Sequence, residues 1–153
     1  MAKDRLRLRV ATPEKVKYDR EADMVIMRCI TGDMGILPHH EACSAILDYG
    51  VMRIITGEDE RRMAVFGGIA QVLDNQVTVL ANDAQWPEDI DIATAEAERD
   101  RSARRLQEDV DILEIQKDQI RMRRSLVQIE VSSYPLLSRI EQRMESSETA
   151  GEE

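Results

Sequence analysis

The 153-residue chain is 42% hydrophobic and 33% charged but only 3% aromatic, and its formal net charge is −9. A domain of this length buries on the order of 70% of its unfolded surface, and here the core must be built from Leu, Ile, Val, Met and Ala, with no ring platform for stacking bases. Residues 1–87 hold 11 basic and 13 acidic side chains and residues 88–153 hold 10 and 17, so the acidity gathers in the C-terminal part and the general field repels phosphate backbones and anionic lipid surfaces.

Arg5 to Val10 alternates basic and apolar residues with period 2. This predicts a strand with Leu6, Leu8 and Val10 facing a core and the three arginines on a solvated edge or a partner. Three arginines in the first ten residues precede no unbroken apolar segment, and no run of 18 apolar residues occurs. A soluble chain without signal or transit peptide is expected. Shorter strand-like runs follow at 16–18 and 24–30, and Cys29 and Cys43 lie inside apolar runs as expected reduced packing residues.

The most distinctive stretch is Gly32-Asp33-Met34-Gly35-Ile36-Leu37-Pro38-His39-His40-Glu41, followed by the mostly apolar residues 42–47. Two glycines three apart and an apolar run stopped by Pro38 predict a tight turn, a brief strand and a second turn. Adjacent side chains point apart in such a segment, so His39, His40 and Glu41 do not converge on a metal, and no metal site is expected.

Residues 51–56 and 62–66 flank the polar turn 57–60, while 69–73 and 76–81 flank Asp74-Asn75, giving two hairpins. Gly67-Gly68 within a strand-like stretch predicts a bulge or a closely approaching backbone. Strands recurring every eight to twelve residues predict an antiparallel sandwich or barrel over residues 1–85.

The pattern changes at 82–89. Asp89 or Asp91 is placed to cap a helix, and no Gly or Pro occurs again before Pro135. A small-residue stripe (Ile92, Ala95, Ser102, Ala103, Leu106, Val110) and a second stripe (Ile112, Ile115, Met122, Leu126, Ile129) predict two helices over 86–131, bending near 108–111 and docked weakly because alanine covers little area. Ser132 to Pro135 is expected to break the second helix. A short helical turn through Leu136, Leu137, Ile140 and Met144 then follows, and the extension 132–153 is expected to be partly disordered, above all over 145–153. Lys117, Arg121, Arg123 and Arg124 form either a solvated face or a handle for an acidic partner surface. No Walker sequence, nucleophile elbow or dinucleotide fingerprint is present, so catalysis by this chain is not expected.

The loop 32–41, the stretch Phe66-Gly67-Gly68-Ile69-Ala70-Gln71-Val72, Val77 to Ala81 and Ile90-Asp91-Ile92-Ala93-Thr94-Ala95 occur in an order that resembles the epsilon subunit of the F-type ATP synthase, known as delta in mitochondria. The resemblance covers residues 5–130 or so. It implies an α+β chain, a β-sandwich followed by a helical hairpin, acting as a non-catalytic rotor subunit. The sandwich would sit at the foot of the central stalk against the gamma subunit and the c-ring. The hairpin would fold on the sandwich or extend along gamma towards the alpha and beta subunits of the catalytic head and restrain ATP hydrolysis. The location implied is peripheral, at the cytoplasmic face of a bacterial membrane, with a plastid thylakoid second.

By the same resemblance Gly32, Asp33, Met34, Gly35 and His40 face the c-ring, although Ala42 stands where the family usually has proline. The second helix becomes the inhibitory element, with Lys117, Arg121, Arg123 and Arg124 as its contacts. Ile90, Asp91 and Ala95 match a nucleotide-binding motif of some bacterial members, but Thr94 replaces its arginine. A hydroxyl does not replace a guanidinium that pairs with phosphate, so ATP binding is expected to be weak or lost and no cofactor is expected. Two other readings are a stand-alone β-sandwich ligand- or protein-binding module with a helical tail, and a metal hydrolase using His39, His40 and Glu41. The paucity of aromatics and the diverging histidines count against them.

Overall fold

A computed structural model describes residues 4–108 and 111–149. The period-2 segments form β1 (Leu6–Ala11), β2 (Val16–Ala22), β3 (Met24–Cys29), β4 (Gly32–Ile36), β5 (Cys43–Thr56), β6 (Asp59–Leu73), β7 (Gln76–Ala81) and the short β8 (Ala84–Gln85). One hydrogen-bonded sheet runs in the order β2-β1-β7-β6-β5-β3-β4, with β8 paired to β6. All neighbours are antiparallel except β1 and β7. The sheet folds over itself into the expected sandwich, and residues of both halves share one core that includes Leu6, Leu8, Val10, Val25, Met27, Met52, Ile54, Met63, Val77 and Val79.

The fold-over is made by β5 and β6. Cys43, Ala45 and Leu47 face the core in the first part of β5, whereas Met52 and Ile54 do so in the second; in β6 the change runs from Met63 and Val65 to Ala70 and Val72. The two strands exchange the parity of their buried residues together, because their register is continuous from Cys43↔Val72 to Thr56↔Asp59. Gly67 and Gly68, at φ +75° and +131°, lie at the change. A Cβ on Gly68 would overlap the Leu80 carbonyl oxygen and lie 2.8 Å from Ala81 Cα. Here the close approach of a second backbone is what requires glycine.

Three strand-level expectations change. β1 lies between β2 and β7 and is not an edge strand. Its arginines face outward next to acids of β2, as in the Arg7–Asp19 pair at 2.7 Å. Gly32 to Gly35 is not the turn: Ile30-Thr31 is, and residues 32–35 pair with 26–29. Two residues suffice for an antiparallel hairpin, and Gly32 at φ +121° opens the returning strand. The runs on either side of residue 48 are a single 14-residue strand. The Asp74-Asn75 turn is as expected, with both residues at positive φ.

After a 3₁₀ turn over Pro87–Asp89 come α1 (Ile92–Glu108) and α2 (Ile112–Thr149). Asp91 caps α1, accepting hydrogen bonds from the Thr94 N–H at 3.2 Å and the Thr94 hydroxyl at 2.9 Å. α2 is unbroken through Pro135, against the expected break at 132–135. Proline removes one main-chain hydrogen bond, and the remaining i→i−4 bonds carry the helix on. Residues 145–149 are thus helical, while 109–110, including Val110 of the expected stripe, and 150–153 fall outside the described residues.

The expected seam of α2 is also corrected. Ile112 and Leu126 are 71% and 45% exposed, and over residues 112–134 the buried positions are Asp118, Ser125, Val127 and Val131. Asp118 meets Arg105 of α1 and Arg121, while Val127 and Val131 meet Ala64 and Phe66 of β6. Small residues permit close helix–helix packing, so the larger aliphatics are left outside it.

Candidate functional site

Strand register places one row of aliphatic residues on the outer face of the sheet. Ile46 of β5 pairs with Ile69 of β6, which pairs with Leu80 of β7, which pairs with Ala11 of β1. Ile46, Ile69 and Leu80 are 58%, 55% and 58% exposed, and Ile30, whose N–H donates to the Ile46 carbonyl, is 61% exposed. Directly paired residues on antiparallel strands share a face, so these side chains form one apolar belt across the sheet. Scattered exposed aliphatics are ordinary, but a contiguous row marks a contact surface. The belt is not among the features expected from the sequence. The available signal was that Ile46, Ile69 and Leu80 occupy the outward phase of their strands, where alternation calls for polar residues.

The loop residues singled out in the sequence fall into two separate contacts. Asp33 lies in β4, exposed, and accepts a hydrogen bond from Arg28 Nε at 3.2 Å, which raises the Arg28 pKa. Gly32, Met34 and Gly35 are its neighbours in the same edge strand, with Met34 packed against the core. His40 sits in the turn before β5, where its N–H donates to the Leu37 carbonyl and its Nδ1 lies 2.8 Å from the Glu41 carbonyl oxygen. His39, at φ +63°, donates its N–H to Asn75 Oδ1 at 2.8 Å, and Asn75 in turn donates to the Arg5 carbonyl. The turn 37–40 is therefore fastened to the β6–β7 turn and the start of β1.

The helices lie on the opposite outer surface, over the second half of β5 and the first half of β6. The apolar contact is small: Val127 and Val131 on Ala64 and Phe66, with Tyr49, Val51 and Ile90 at its margin. Cations of α2 surround it. Arg123 pairs with Asp48 and lies 5.3 Å from the Tyr49 ring centroid, and Arg124 pairs with Asp83 and lies 4.1 Å above Phe66. Gln128 donates to Gln85 at 2.8 Å. Lys117 pairs with Glu114 and Arg121 with Asp118. The four basic residues therefore split, with Arg123 and Arg124 holding the sandwich and Lys117 and Arg121 paired within α2.

Further along, the Glu60 side chain accepts hydrogen bonds from Arg53 Nε at 2.7 Å, from Arg62 Nε at 3.0 Å and from the Tyr134 hydroxyl. Burial alone would raise the Glu60 pKa, but these hydrogen bonds outweigh it and hold it below its ordinary value. Its bond to Tyr134 raises the tyrosine pKa, and burial adds to that.

Ile90, Asp91, Thr94 and Ala95 line a cavity of about 340 Å³ between the start of α1 and α2, together with Arg121 and Arg124. The Thr94 hydroxyl and then its N–H hold the Asp91 carboxyl below its usual range. Both arginines are engaged by Asp118 and Asp83. Cys29 and Cys43 are free thiols, and burial pushes Cys29 up. No helix among the described residues is long and apolar enough to cross a membrane.

Residues 5–87 match the family model described as ATP synthase, Delta/Epsilon chain, beta-sandwich domain. The chain is 36% identical over 129 residues to the ATP synthase epsilon chain of Syntrophobacter fumaroxidans, covering 84% of this chain and 96% of that one. It is 39% identical over 103 residues to the chloroplastic epsilon chain of Cyanidioschyzon merolae, covering 67% and 79%. Among solved structures it is similar to a chain of the Euglena gracilis mitochondrial ATP synthase, OSCP/F1/c-ring, with a TM-score of 0.73 at 19% identity, covering 89% of this chain and 84% of that one. A chain of the Tetrahymena thermophila mitochondrial ATP synthase, central stalk and c-ring, matches with a TM-score of 0.55 at 14% identity, covering 86% and 99%. At these identities the structural likeness speaks for the fold.

Proposed function

Since this chain belongs to the delta/epsilon family of ATP synthase subunits, we propose that it is a non-catalytic rotor subunit that couples gamma to the c-ring and restrains ATP hydrolysis through its helices. The observation that carries this reading is the aliphatic belt Ile30, Ile46, Ile69 and Leu80, more than half exposed on a chain otherwise rich in charge. A surface of that kind calls for a permanent apolar partner, and gamma is the subunit assigned to it. The edge strand 32–35 and the turn holding His40 then face the c-ring, with Asp33 and His40 as polar contacts. The place of action is peripheral, at the cytoplasmic face of a bacterial membrane.

The helical pair supports the regulatory half. Among the described residues its apolar contact with the sandwich involves four buried side chains, and much of the remainder is charge pairing that an acidic surface on the alpha and beta subunits of the head would compete for. Arg124 and Arg123 would exchange Asp83 and Asp48 for such a surface, with Lys117 and Arg121 beside them. Nucleotide is read as a weak ligand at most: Thr94 is spent on Asp91, and the cavity adds the acids Asp89 and Glu98 to its two engaged arginines.

The test is reconstitution of the complex with Ile46→Asp/Leu80→Asp. Loss of this chain from the purified complex, with an unchanged melting temperature of the chain alone, is expected; full retention overturns the belt assignment. In complexes carrying a chain truncated after Asp111, ATP hydrolysis should rise, and an unchanged rate removes the regulatory half.

A further inference from the structure

α2 is held to the sandwich at two ends of one stretch. Arg123 and Arg124 mark the near end, and Tyr134 marks the far end, ten residues beyond Arg124 or roughly 15 Å along a helix axis. At the far end the Arg62 guanidinium lies 3.4 Å above the centroid of the Tyr134 ring, and the tyrosine hydroxyl bonds to Glu60. Glu60 and Arg62 belong to the first residues of β6, and Arg53 pairs directly with Arg62 from β5, so the receptor for Tyr134 is the tip of the β5–β6 hairpin.

We infer that Tyr134, with Glu60, Arg62 and Arg53, is a latch that sets how firmly the helical pair stays down on the sandwich. Two features give the cluster that role. The receptor exists without the helix: Glu60 is already oriented by Arg53 and Arg62, all three on the hairpin, so seating Tyr134 adds a hydroxyl donor and a ring to groups whose freedom is already spent. The cluster also lies further along α2 from the α1–α2 connection than Arg123 and Arg124 do. A contact there constrains the tilt of the whole helix, whereas one beside the connection leaves the helix able to swing. The apolar patch between the two ends, Val127 and Val131 on Ala64 and Phe66, is too small to hold the helix against that swing alone.

The inference rests on the proposed function only in treating the helical pair as a movable element. Its test reads docking in the full-length chain alone, whereas restraint of hydrolysis is read in the assembled enzyme, so either can fail without the other. Backbone hydrogen exchange is followed over residues 126–134 in wild type, Tyr134→Phe and Tyr134→Ala, with β1, β6 and β7 amides as internal standard. Tyr134→Phe keeps the stack and loses the hydroxyl, and should accelerate exchange about threefold, in line with one hydrogen bond. Tyr134→Ala loses both and should accelerate it about tenfold, even though alanine is the better helix former. In a Glu60→Ala background, Tyr134→Phe should add nothing. Exchange in Tyr134→Ala no faster than wild type overturns the latch. So does acceleration spread equally over α2 and the β-strands, since Tyr134 would then belong to the global fold.

Discussion

Replacing Gly68 by alanine should damage the sandwich far more than the same change at Gly57, although both glycines have positive φ. At Gly57, φ +61°, an added Cβ meets nothing within 4 Å. That substitution carries only the left-handed backbone penalty, ~1–2 kcal/mol. At Gly68, φ +131°, the methyl would overlap the Leu80 carbonyl oxygen and lie 2.8 Å from Ala81 Cα and 3.0 Å from the Leu80 carbonyl carbon. These are main-chain atoms of the partner strand and have no rotamer into which to retreat. β6 and β7 must part, loosening the Gly68↔Ala81 and Ile69↔Leu80 pairs. Backbone strain of ~1–3 kcal/mol and one or two weakened ladder hydrogen bonds at ~0.5–1.5 kcal/mol each together give ~1.5–6 kcal/mol. A domain of this kind is stable by ~5–15 kcal/mol, so the loss is a large share. Urea unfolding of the full chain, followed by circular dichroism, measures it as a fall in midpoint at constant m-value. The fall for Gly68→Ala should be at least about twice that for Gly57→Ala. Equal falls would refute the claim that backbone approach, rather than φ alone, requires glycine at position 68.

Alanine at both Asp33 and His40 should leave the melting temperature nearly unchanged, since Asp33 is exposed and the half-buried His40 side chain bonds to the adjacent Glu41 carbonyl, and surface substitutions of this kind move stability by no more than ~0.5 kcal/mol, while weakening assembly with the c-ring; strong destabilisation would make them structural. A fragment of residues 1–90 should unfold cooperatively but at a lower temperature than the full chain, because Phe66 and Ala64 lose the cover of Val127 and Val131; a fragment without a cooperative transition would make the helices part of the obligate core. The stability difference between wild type and Tyr134→Phe should depend on pH at both ends. Glu60 has a depressed folded pKa, so its contribution is present above the unfolded value and lost as pH falls through the folded one. Tyr134 has a raised folded pKa, so its contribution is present below the unfolded value and lost as pH rises through the folded one. The difference should therefore be level between about pH 5 and 9 and shrink below about 4 and above about 10; a difference unchanged across that range would remove the Glu60–Tyr134 bond from the energetics.

Local pattern alone determined much of this protein. The alternation of Arg5 to Val10 specifies which residues of β1 are buried, Asp74-Asn75 specifies a hairpin because both residues tolerate positive φ, and Asp91 specifies the start of α1 because a carboxylate satisfies its free N–H groups. Each is decided within a few residues, by sterics or by a hydrogen bond to the neighbouring backbone. Pairing between distant strands decided the remainder. Whether the arginines of β1 lie on an edge depends on β7, some 70 residues away, closing against it. Ile46, Ile69 and Leu80 become a surface only because three strands align them. The buried face of α2 went to Val127 and Val131 instead of Ile112 and Leu126, since the sheet offers Phe66 and Ala64 at that height and the buried residues of α1 are the small Ala95 and Ser102. Arg123 and Arg124 find Asp48 and Asp83, and Tyr134 finds Glu60, across separations that no periodicity records, because contact at such distances is set by the path of the folded backbone and not by spacing along the chain.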